Sequence, residues 1–260
     1  MRCRSIKKRV FIILSAVIVL IGTLFLAIFY LGEHTSVPKK PKPLHLKIVA
    51  LGDSLTEGIG DLENQGYVGT TSKLLRKAKN VKSVSVKDFG HRGDTSKDLL
   101  NKLNQSEVKN AIKGSNTVFL TIGGNDLVRV FKQHFLDLHE SDFTREQKLF
   151  SANLKKALTE IRKLNPDAHI YYFGLYNPFE DYLGEANKDF VPILNHWNAN
   201  SSRISESFSP ISFVPTSDLF RGKTNELLYT DHFHPNKKGY TLMAHRLVRF
   251  IESANNRKRK

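Results

Sequence analysis

Residues 47–55 read KIVALGDSL, and this stretch decides the fold of the chain. An apolar run of strand length ends at Gly52, and Ser54 follows in the turn that leaves the strand. A serine placed there projects above the edge of a sheet, with its own N–H free for an anion. Taken alone, Gly-Asp-Ser fits an ordinary turn or a helix cap better, so the rest of the sequence must decide.

Strand-like and helix-like stretches alternate along the remainder of the chain. Strands are predicted at 47–51, 83–89, 117–122, 170–174 and 211–214, and helices at 68–79, 96–103, 144–164, 189–208 and 240–251. This alternation predicts a mostly parallel sheet with right-handed crossovers and helices on both faces. In such sheets, ligands bind beyond the carboxyl ends of the strands.

Four short motifs occur in one order: GDSL at 52–55, GDTS at 93–96, GGND at 123–126 and DHFHP at 231–235. The first three follow predicted strands and the fourth precedes the last predicted helix, so their loops can converge at one sheet edge. Together they supply a serine, a glycine N–H, an asparagine amide and an Asp/His pair three residues apart. Acyl transfer needs these parts as nucleophile, oxyanion hole, base and the group that orients the base.

The Asp231/His234 pair has two other interpretations. It could be a surface pair that caps the last helix, or Asp231, His232 and His234 could contribute metal ligands. The metal interpretation gives no role to Ser54 or Pro235, and we therefore predict no metal site.

The neighbours of the motifs have ordinary expected roles. Turn hydrogen bonds are expected of Asp53 and Asp126, and solvation is expected of the loop residues His91 and Arg92. An aromatic-rich segment, 175–197, could line an acyl pocket or form a lid, although aromatic residues beside a helix belong more often to the core.

The motif set resembles the SGNH-hydrolase superfamily, the GDSL-type lipases and esterases, and most of all its small bacterial lysophospholipase and acylhydrolase branch. The resemblance covers nearly all of residues 47–254. It implies a three-layer α/β/α sandwich with a five-stranded parallel sheet, carboxylic ester hydrolysis through an acyl-enzyme, and no cofactor.

The resemblance also implies a role for each motif residue. Ser54 would be the nucleophile, His234 the base and Asp231 the partner of the base. The oxyanion hole would be formed by the Ser54 N–H, the Gly93 N–H and the Asn125 side chain. Without the resemblance, Gly93 and Asn125 could equally be residues that close turns.

The N-terminus predicts a membrane anchor. Residues 10–31 carry no charge over 22 positions, enough for a helix across a bilayer, and five basic residues precede them. The positive-inside rule then places the N-terminus in the cytoplasm and the remainder outside. A cleaved signal peptide is the alternative, but no clear small-x-small cleavage site follows. The predicted organisation is a cytoplasmic basic segment, an anchor, a Pro/Lys linker, a hydrolase domain and a basic tail, at 1–9, 10–31, 32–46, 47–256 and 257–260.

Charge and cysteine content indicate which binding partners and which cellular location to expect. The net charge is +15, but residues 1–46 hold eight Lys or Arg and one Glu, and residues 257–260 are all basic, which leaves +4 for 47–256. No aromatic-basic motif supports nucleic-acid binding, whereas basic ends suit an anionic membrane or wall polymer. Cys3 is the only cysteine, so the domain has no disulfide, which favours a bacterial cell surface over a eukaryotic secretory pathway.

The substrate stays open at the level of sequence. Membrane tethering favours lipid or lysophospholipid esters, and an acetyl group on a cell-wall glycan is the alternative. Acyl transfer to another alcohol would use the same residues. A noncatalytic surface-binding module is a further alternative, and oligomeric state is not indicated.

Overall fold

The computed structural model describes residues 2–33, 43–133 and 140–257. The chain divides into two compact units, Met1–Lys42 and Pro43–Lys260. Helix α1, Arg2–Glu33, lies in the first unit. Among the described residues, no helix combines the length and the apolar character that crossing a bilayer requires. The anchor at 10–31 stays a prediction, and most of the predicted linker and tail (34–42 and 258–260) lies outside the described residues.

The second unit contains five strands and the remaining helices of the described residues. The strands are β1 Leu44–Gly52, β2 Val81–Gly90, β3 Thr117–Thr121, β4 His169–Phe173 and β5 Ile211–Val214. The helices are α2 Ser54–Glu57, α3 Gly66–Lys77, α4 Ser96–Lys102, α5 Ser106–Gly114, α6 Gly124–Gln133, α7 Glu140–Leu164, α8 Asn187–Glu206, α9 Ser217–Phe220, α10 Thr224–Leu227 and α11 Lys237–Arg257.

All five strands are parallel and lie in the order β2-β1-β3-β4-β5. The predicted parallel five-stranded sheet is therefore confirmed. At the carboxyl edge, Gly52 of β1 pairs with Gly90 of β2 on one side and with Thr121 of β3 on the other. The first three motifs therefore begin at, or within three residues after, one row of paired residues across three neighbouring strands.

Alternate residues of the strands pack into two separate hydrophobic clusters, one on each face of the sheet. In β1, Val49 and Leu51 join the cluster formed with α4 to α8, whereas Ile48 and Ala50 join the cluster formed with α3 and α9 to α11. Because successive side chains of a strand point to opposite faces, a strand buried on both faces is apolar at every position. This explains the uninterrupted run that marks β1 in the sequence.

Five helices of the described residues were not predicted from the sequence: α2, α5, α6, α9 and α10. Helices α5 and α6 were not predicted, because α5 has only nine residues and α6 begins inside the GGND motif, where Gly and Asn indicate a turn. Helix α2 has only four residues. The sandwich itself follows from the elements that were predicted.

Candidate active site

The first motif forms a sharp turn between β1 and α2. Gly52 has φ +149°, and a Cβ there would lie 2.3 Å from the Thr121 carbonyl oxygen, so the turn needs glycine. Asp53 caps α2, its Oδ1 accepting from the Leu55 N–H at 3.0 Å and from Thr121 Oγ1 at 2.9 Å. Ser54 is the first residue of α2, so its N–H has no acceptor within the helix.

A buried hydrogen-bond network lies beneath this turn. Thr56 Oγ1 is within 2.9 Å of the Tyr67 hydroxyl, 2.7 Å of Thr121 Oγ1 and 3.3 Å of the Leu51 carbonyl oxygen. Thr121 Oγ1 then donates to Asp53. The network joins β1, β3, α2 and α3, and it fixes the turn to the core.

Burial dominates the electrostatics of Asp53. Desolvation raises the pKa of its carboxyl to about 7, although the hydrogen bonds from Leu55 and Thr121 act in the opposite direction. The expected role of Asp53 in turn hydrogen bonding is what its contacts show.

The fourth motif brings His234 to the serine. His234 Nε2 lies 2.8 Å from Ser54 Oγ, and His234 Nδ1 lies 2.6 Å from Asp231 Oδ2. Asp231 Oδ1 accepts from the backbone N–H groups of Phe233 and His234, each at 3.0 Å. Three residues separated by up to 180 positions in the chain are therefore joined in one line of hydrogen bonds.

The charge of Asp231 determines which nitrogen of His234 carries the proton. Desolvation acts to raise the pKa of Asp231, but the hydrogen bonds from His234 and Phe233 outweigh it and lower that pKa. The carboxylate is thus ionised at neutral pH and accepts from Nδ1–H. Nε2 is left as the acceptor for the Ser54 hydroxyl.

Asn125 links the third motif to the second. Its side-chain Nδ2 donates to the Asp94 carbonyl oxygen at 2.9 Å, and an amide has a second N–H that remains for a ligand. Gly93 precedes Asp94 in this loop with φ +85°, and open space surrounds the position of its missing Cβ. The loop thus brings the Gly93 backbone toward the same edge as Asn125.

Asp126 makes a second link between these motifs. Its carboxylate accepts from the Ser96 N–H at 2.9 Å and from Ser96 Oγ at 2.6 Å. Burial raises the pKa of Asp126 despite these bonds. As for Asp53, its contacts match the expected turn hydrogen bonds.

An apolar pocket opens beside Ser54 and Asn125. Its free volume is about 40 Å³. The apolar part of its wall consists of Leu55, Leu127, Val128, Leu175, Pro178, Phe179, Phe190 and Phe233. The nucleophile candidate therefore lies between a polar edge and an apolar wall, as an ester with an apolar acyl group requires.

The aromatic segment 175–197 supplies residues both to the core and to the wall of the pocket. Trp197 is buried in the core, and Phe190 is buried but also lines the pocket. Phe179 lines the pocket and lies 5.9 Å, centroid to centroid, from the ring of Phe233. Tyr182 is 56% exposed, and its hydroxyl lies 2.5 Å from His232 Nδ1. This segment therefore contacts the histidine loop from outside.

Comparison with known proteins identifies the chain. The model of the GDSL-like lipase/acylhydrolase family matches residues 50–242, which include all four motifs. The chain belongs to this family. Together with its lipase and esterase relatives, this membership makes it a carboxylic ester hydrolase.

Two relatives of this GDSL-like hydrolase come from bacilli. It is 36% identical to the uncharacterized protein YpmR of Bacillus subtilis, over 95% of this chain and 97% of YpmR. It is 27% identical to the spore germination lipase LipC of Bacillus licheniformis, over 78% of this chain and 94% of LipC.

Solved structures show the same architecture. A lipase from a goat rumen metagenome is 25% identical with a TM-score of 0.66, covering 77% of this chain and 94% of that lipase. The acetylxylan esterase Axe2 of Geobacillus stearothermophilus is 20% identical with a TM-score of 0.59, covering 81% of this chain and 95% of its own. At that identity, Axe2 shows the fold alone.

Sequence reasoning missed several side chains that hold the site. Thr56 and Tyr67 belong to the network under Ser54, and Tyr176 donates from its hydroxyl to the Phe233 carbonyl oxygen at 2.6 Å. Glu57 pairs with Arg92, which the sequence predicted only as a solvated loop residue. Nothing in a single sequence marks these residues, because each gains its role through contacts with a distant segment.

Proposed function

We propose that the chain hydrolyses carboxylic esters with Ser54 as nucleophile, His234 as base and Asp231 as the group that orients the base. The observation that carries this proposal is the line of hydrogen bonds from Asp231 through His234 to Ser54, with 2.6 and 2.8 Å between its atoms. Nucleophile, base and orienting carboxylate lie within the hydrogen-bond reach that nucleophilic catalysis needs.

The reaction proceeds in two steps. Ser54 Oγ attacks the ester carbonyl carbon while His234 Nε2 takes the hydroxyl proton, and the C=O electrons move to oxygen. When the tetrahedral species collapses, His234 gives this proton to the leaving alcohol and an acyl-enzyme remains. Water, deprotonated by His234, then repeats the attack and releases the carboxylic acid.

The oxyanion is bound by three donors in this proposal: the Ser54 N–H, the Gly93 N–H and the free N–H of the Asn125 amide. The hydrogen bond from Asn125 to Asp94 supports this set of donors, because that bond joins the Asn125 segment to the Gly93 segment. One such donor typically contributes about 3–4 kcal/mol to the transition state.

We propose lipid or lysophospholipid esters as the substrate class. The apolar wall of the pocket favours a substrate with an acyl chain. The sequence similarity to a spore germination lipase also favours a lipid ester. An acetyl ester is the second candidate, favoured by the pocket's small free volume of about 40 Å³.

Membrane attachment through residues 10–31 is part of the proposal, with the hydrolase domain outside the cell. Support comes from the charge-free run of 22 residues and the five basic residues before it. The full chain should sediment with membranes through alkaline carbonate washing, and external protease should digest the domain in spheroplasts. Recovery in the soluble fraction would contradict the anchor.

The deciding experiment measures hydrolysis of p-nitrophenyl esters from acetyl to palmitoyl by the wild type and by Ser54→Ala. Ser106→Ala, an exposed serine at the start of α5, is the matched control. We expect Ser54→Ala to lose at least about 10³-fold in kcat and all labelling by a fluorophosphonate, with the control unchanged. Activity retained in Ser54→Ala would overturn the serine mechanism, and strict preference for acetyl would overturn the lipid substrate.

A further inference from the structure

The loop that carries Gly93 is held by a side chain outside the four motifs. Glu57, the last residue of α2, accepts from the Arg92 backbone N–H through Oε2 at 2.6 Å. Its other oxygen, Oε1, accepts from Arg92 Nε at 3.1 Å and from Arg92 Nη2 at 2.7 Å. One carboxylate therefore makes three hydrogen bonds to the residue that immediately precedes Gly93.

The backbone of this loop passes directly over the end of α2. A Cβ on Gly90 would lie only 2.3 Å from the Glu57 backbone nitrogen, so the loop approaches α2 as closely as glycine allows. The His91 N–H donates to the Gly52 carbonyl oxygen at 3.1 Å. These contacts anchor the beginning of the loop to the turn that carries the serine.

The far side of the loop has separate supports. Lys102 Nζ lies 2.6 Å from Asp94 Oδ2 and donates to the Phe89 carbonyl oxygen at 2.5 Å. Asn125 holds the Asp94 carbonyl oxygen. Neither support reaches Arg92. Within the described part of the chain, the hydrogen bonds that Arg92 donates go to Glu57.

Gly93 itself cannot fix the direction of its N–H. It has φ +85° with open space around the Cβ position, and glycine moves freely between backbone conformations. The Asp94 N–H closes the turn by donating to the His91 carbonyl oxygen at 3.2 Å. The orientation of the Arg92–Gly93 peptide at the centre of this turn then depends on how the residues beside it are held. On one side that residue is Arg92, held by Glu57.

We propose that Glu57 is a positioning residue that aims the Gly93 N–H at the oxyanion by holding Arg92. This inference rests on the proposed function, in which the Gly93 N–H is an oxyanion donor. Ser54 begins α2 and Glu57 ends it, so the four-residue helix sets both the attacking oxygen and one of the donors that stabilise the product of attack.

The charge state of Glu57 suits this positioning role. Desolvation acts to raise the pKa of Glu57, but the hydrogen bonds and the charge of Arg92 outweigh it and lower that pKa below its ordinary value. Glu57 is then ionised throughout the neutral range, and all its acceptor positions stay available to Arg92.

The test compares four variants of the full chain on p-nitrophenyl butyrate. Glu57→Ala removes all three bonds, and Glu57→Gln keeps one acceptor oxygen but turns an NH₂ toward either the Arg92 N–H or its guanidinium. Arg92→Ala keeps the backbone N–H bond to Glu57 and loses only the guanidinium. Glu206→Ala, an exposed glutamate at the end of α8, is the control.

We expect Glu57→Ala to lower kcat by about 10- to 100-fold with KM changed less than about threefold, because a misplaced catalytic group costs up to about 10²-fold in rate. Glu57→Gln should lose about 3- to 10-fold in kcat, and Arg92→Ala less than about fivefold. The control should match the wild type.

A second readout separates positioning from a loss of fold. A trifluoromethyl ketone forms a tetrahedral adduct with the serine, so its inhibition constant should weaken by the same factor as kcat in Glu57→Ala while KM does not. If Glu57→Ala fails to fold, the same pair of measurements on Glu57→Gln decides. A wild-type kcat in the folded Glu57 variants, or equal changes in kcat and KM, would overturn the proposal.

The proposed function fails by a different result, which is activity retained in Ser54→Ala. Loss of activity in Ser54→Ala together with wild-type kcat in the Glu57 variants would leave the serine mechanism standing and remove only the positioning role.

Discussion

The serine turn and the histidine loop are held in opposite ways. Ser54 is 5% exposed, and the turn rests on a buried network of Thr56, Thr121 and Tyr67. The side chain of Asp231 is 38% exposed, and its carboxylate accepts from two backbone N–H groups of its own loop, which is tied to the core by the Tyr176 hydroxyl at the Phe233 carbonyl oxygen. The turn of the nucleophile is therefore fixed by a buried side-chain network, whereas the carboxylate that orients the base is partly exposed and bonds mainly within its own loop.

Because of this difference, mutations in the two regions should change different properties of the protein. Removing a partner under the serine leaves a buried polar group unsatisfied and lowers the stability of the whole domain. Removing a partner in the histidine loop changes the orientation or tautomer of one side chain, and an exposed pair contributes little to folding. We expect activity and stability to respond separately in the two regions.

The largest effect tests the histidine loop. Asp231→Asn keeps an oxygen for the backbone N–H groups, but its NH₂ would face Nδ1 of His234 and favour the tautomer with the proton on Nε2. That nitrogen could then no longer accept the serine proton, and kcat should fall by about 10²- to 10⁴-fold.

The unfolding free energy of Asp231→Asn should stay within about 1 kcal/mol of the wild type. Asp218→Asn, which weakens the pair between the exposed Asp218 and the largely buried Arg246, both outside the four motifs, is the control and should retain its activity. A large loss of stability in Asp231→Asn would break the comparison, since the loop would then be part of the core.

The second prediction tests the network under the serine. Thr56→Val keeps the shape of a fully buried side chain but leaves the Tyr67 hydroxyl and Thr121 Oγ1 without that partner. Chemical denaturation should show a loss of about 1–3 kcal/mol in the free energy of unfolding. Thr159→Val, on the exposed side of α7, should change it by less than about 0.5 kcal/mol. Equal effects would show that the network does not support the turn.

The third prediction concerns pH. Because the pKa of Asp53 is raised to about 7 in the folded state, the unfolded chain loses this proton first as pH rises. Stability should therefore fall between about pH 4 and pH 7, at most by about 1.4 kcal/mol per pH unit. Asp53→Asn, which keeps an acceptor oxygen for Leu55 and Thr121, should lack this part of the decline. Parallel pH profiles for the two proteins would contradict the raised pKa.

The smallest effect is expected on the outside of the histidine loop. Tyr182→Phe removes the hydroxyl that contacts His232 from a residue that is 56% exposed. Stability should change by less than about 1 kcal/mol, and KM for long acyl esters by no more than about threefold. A loss in kcat comparable to that of Asp231→Asn would show that the aromatic segment holds the base in place.

The sequence was sufficient for the sheet because β1 contains the apolar run 48–51 directly before Gly52, and β3 contains the apolar run 118–120 shortly before Gly123. It was also sufficient for the residues joined at the site, because Ser54 and His234 occur in short motifs of distinctive order. The supports could not be found, since Glu57 and Tyr67 acquire their roles only when segments far apart in the chain meet. Residues 10–31 remain a prediction from composition alone.

The fixed spacing of the strands determines how far apart the three site loops begin. Gly90, Gly52 and Thr121 stand in one row across three adjacent strands, and Gly93, Ser54 and Asn125 follow that row by three, two and four residues. Neighbouring strands are about 4.8 Å apart whatever their side chains. The spacing between these three loops is thus set by the peptide backbone and not by the side chains of the two helical layers. Substitutions in those layers should therefore leave the spacing unchanged. One residue inserted between the row and a loop would displace a reacting group.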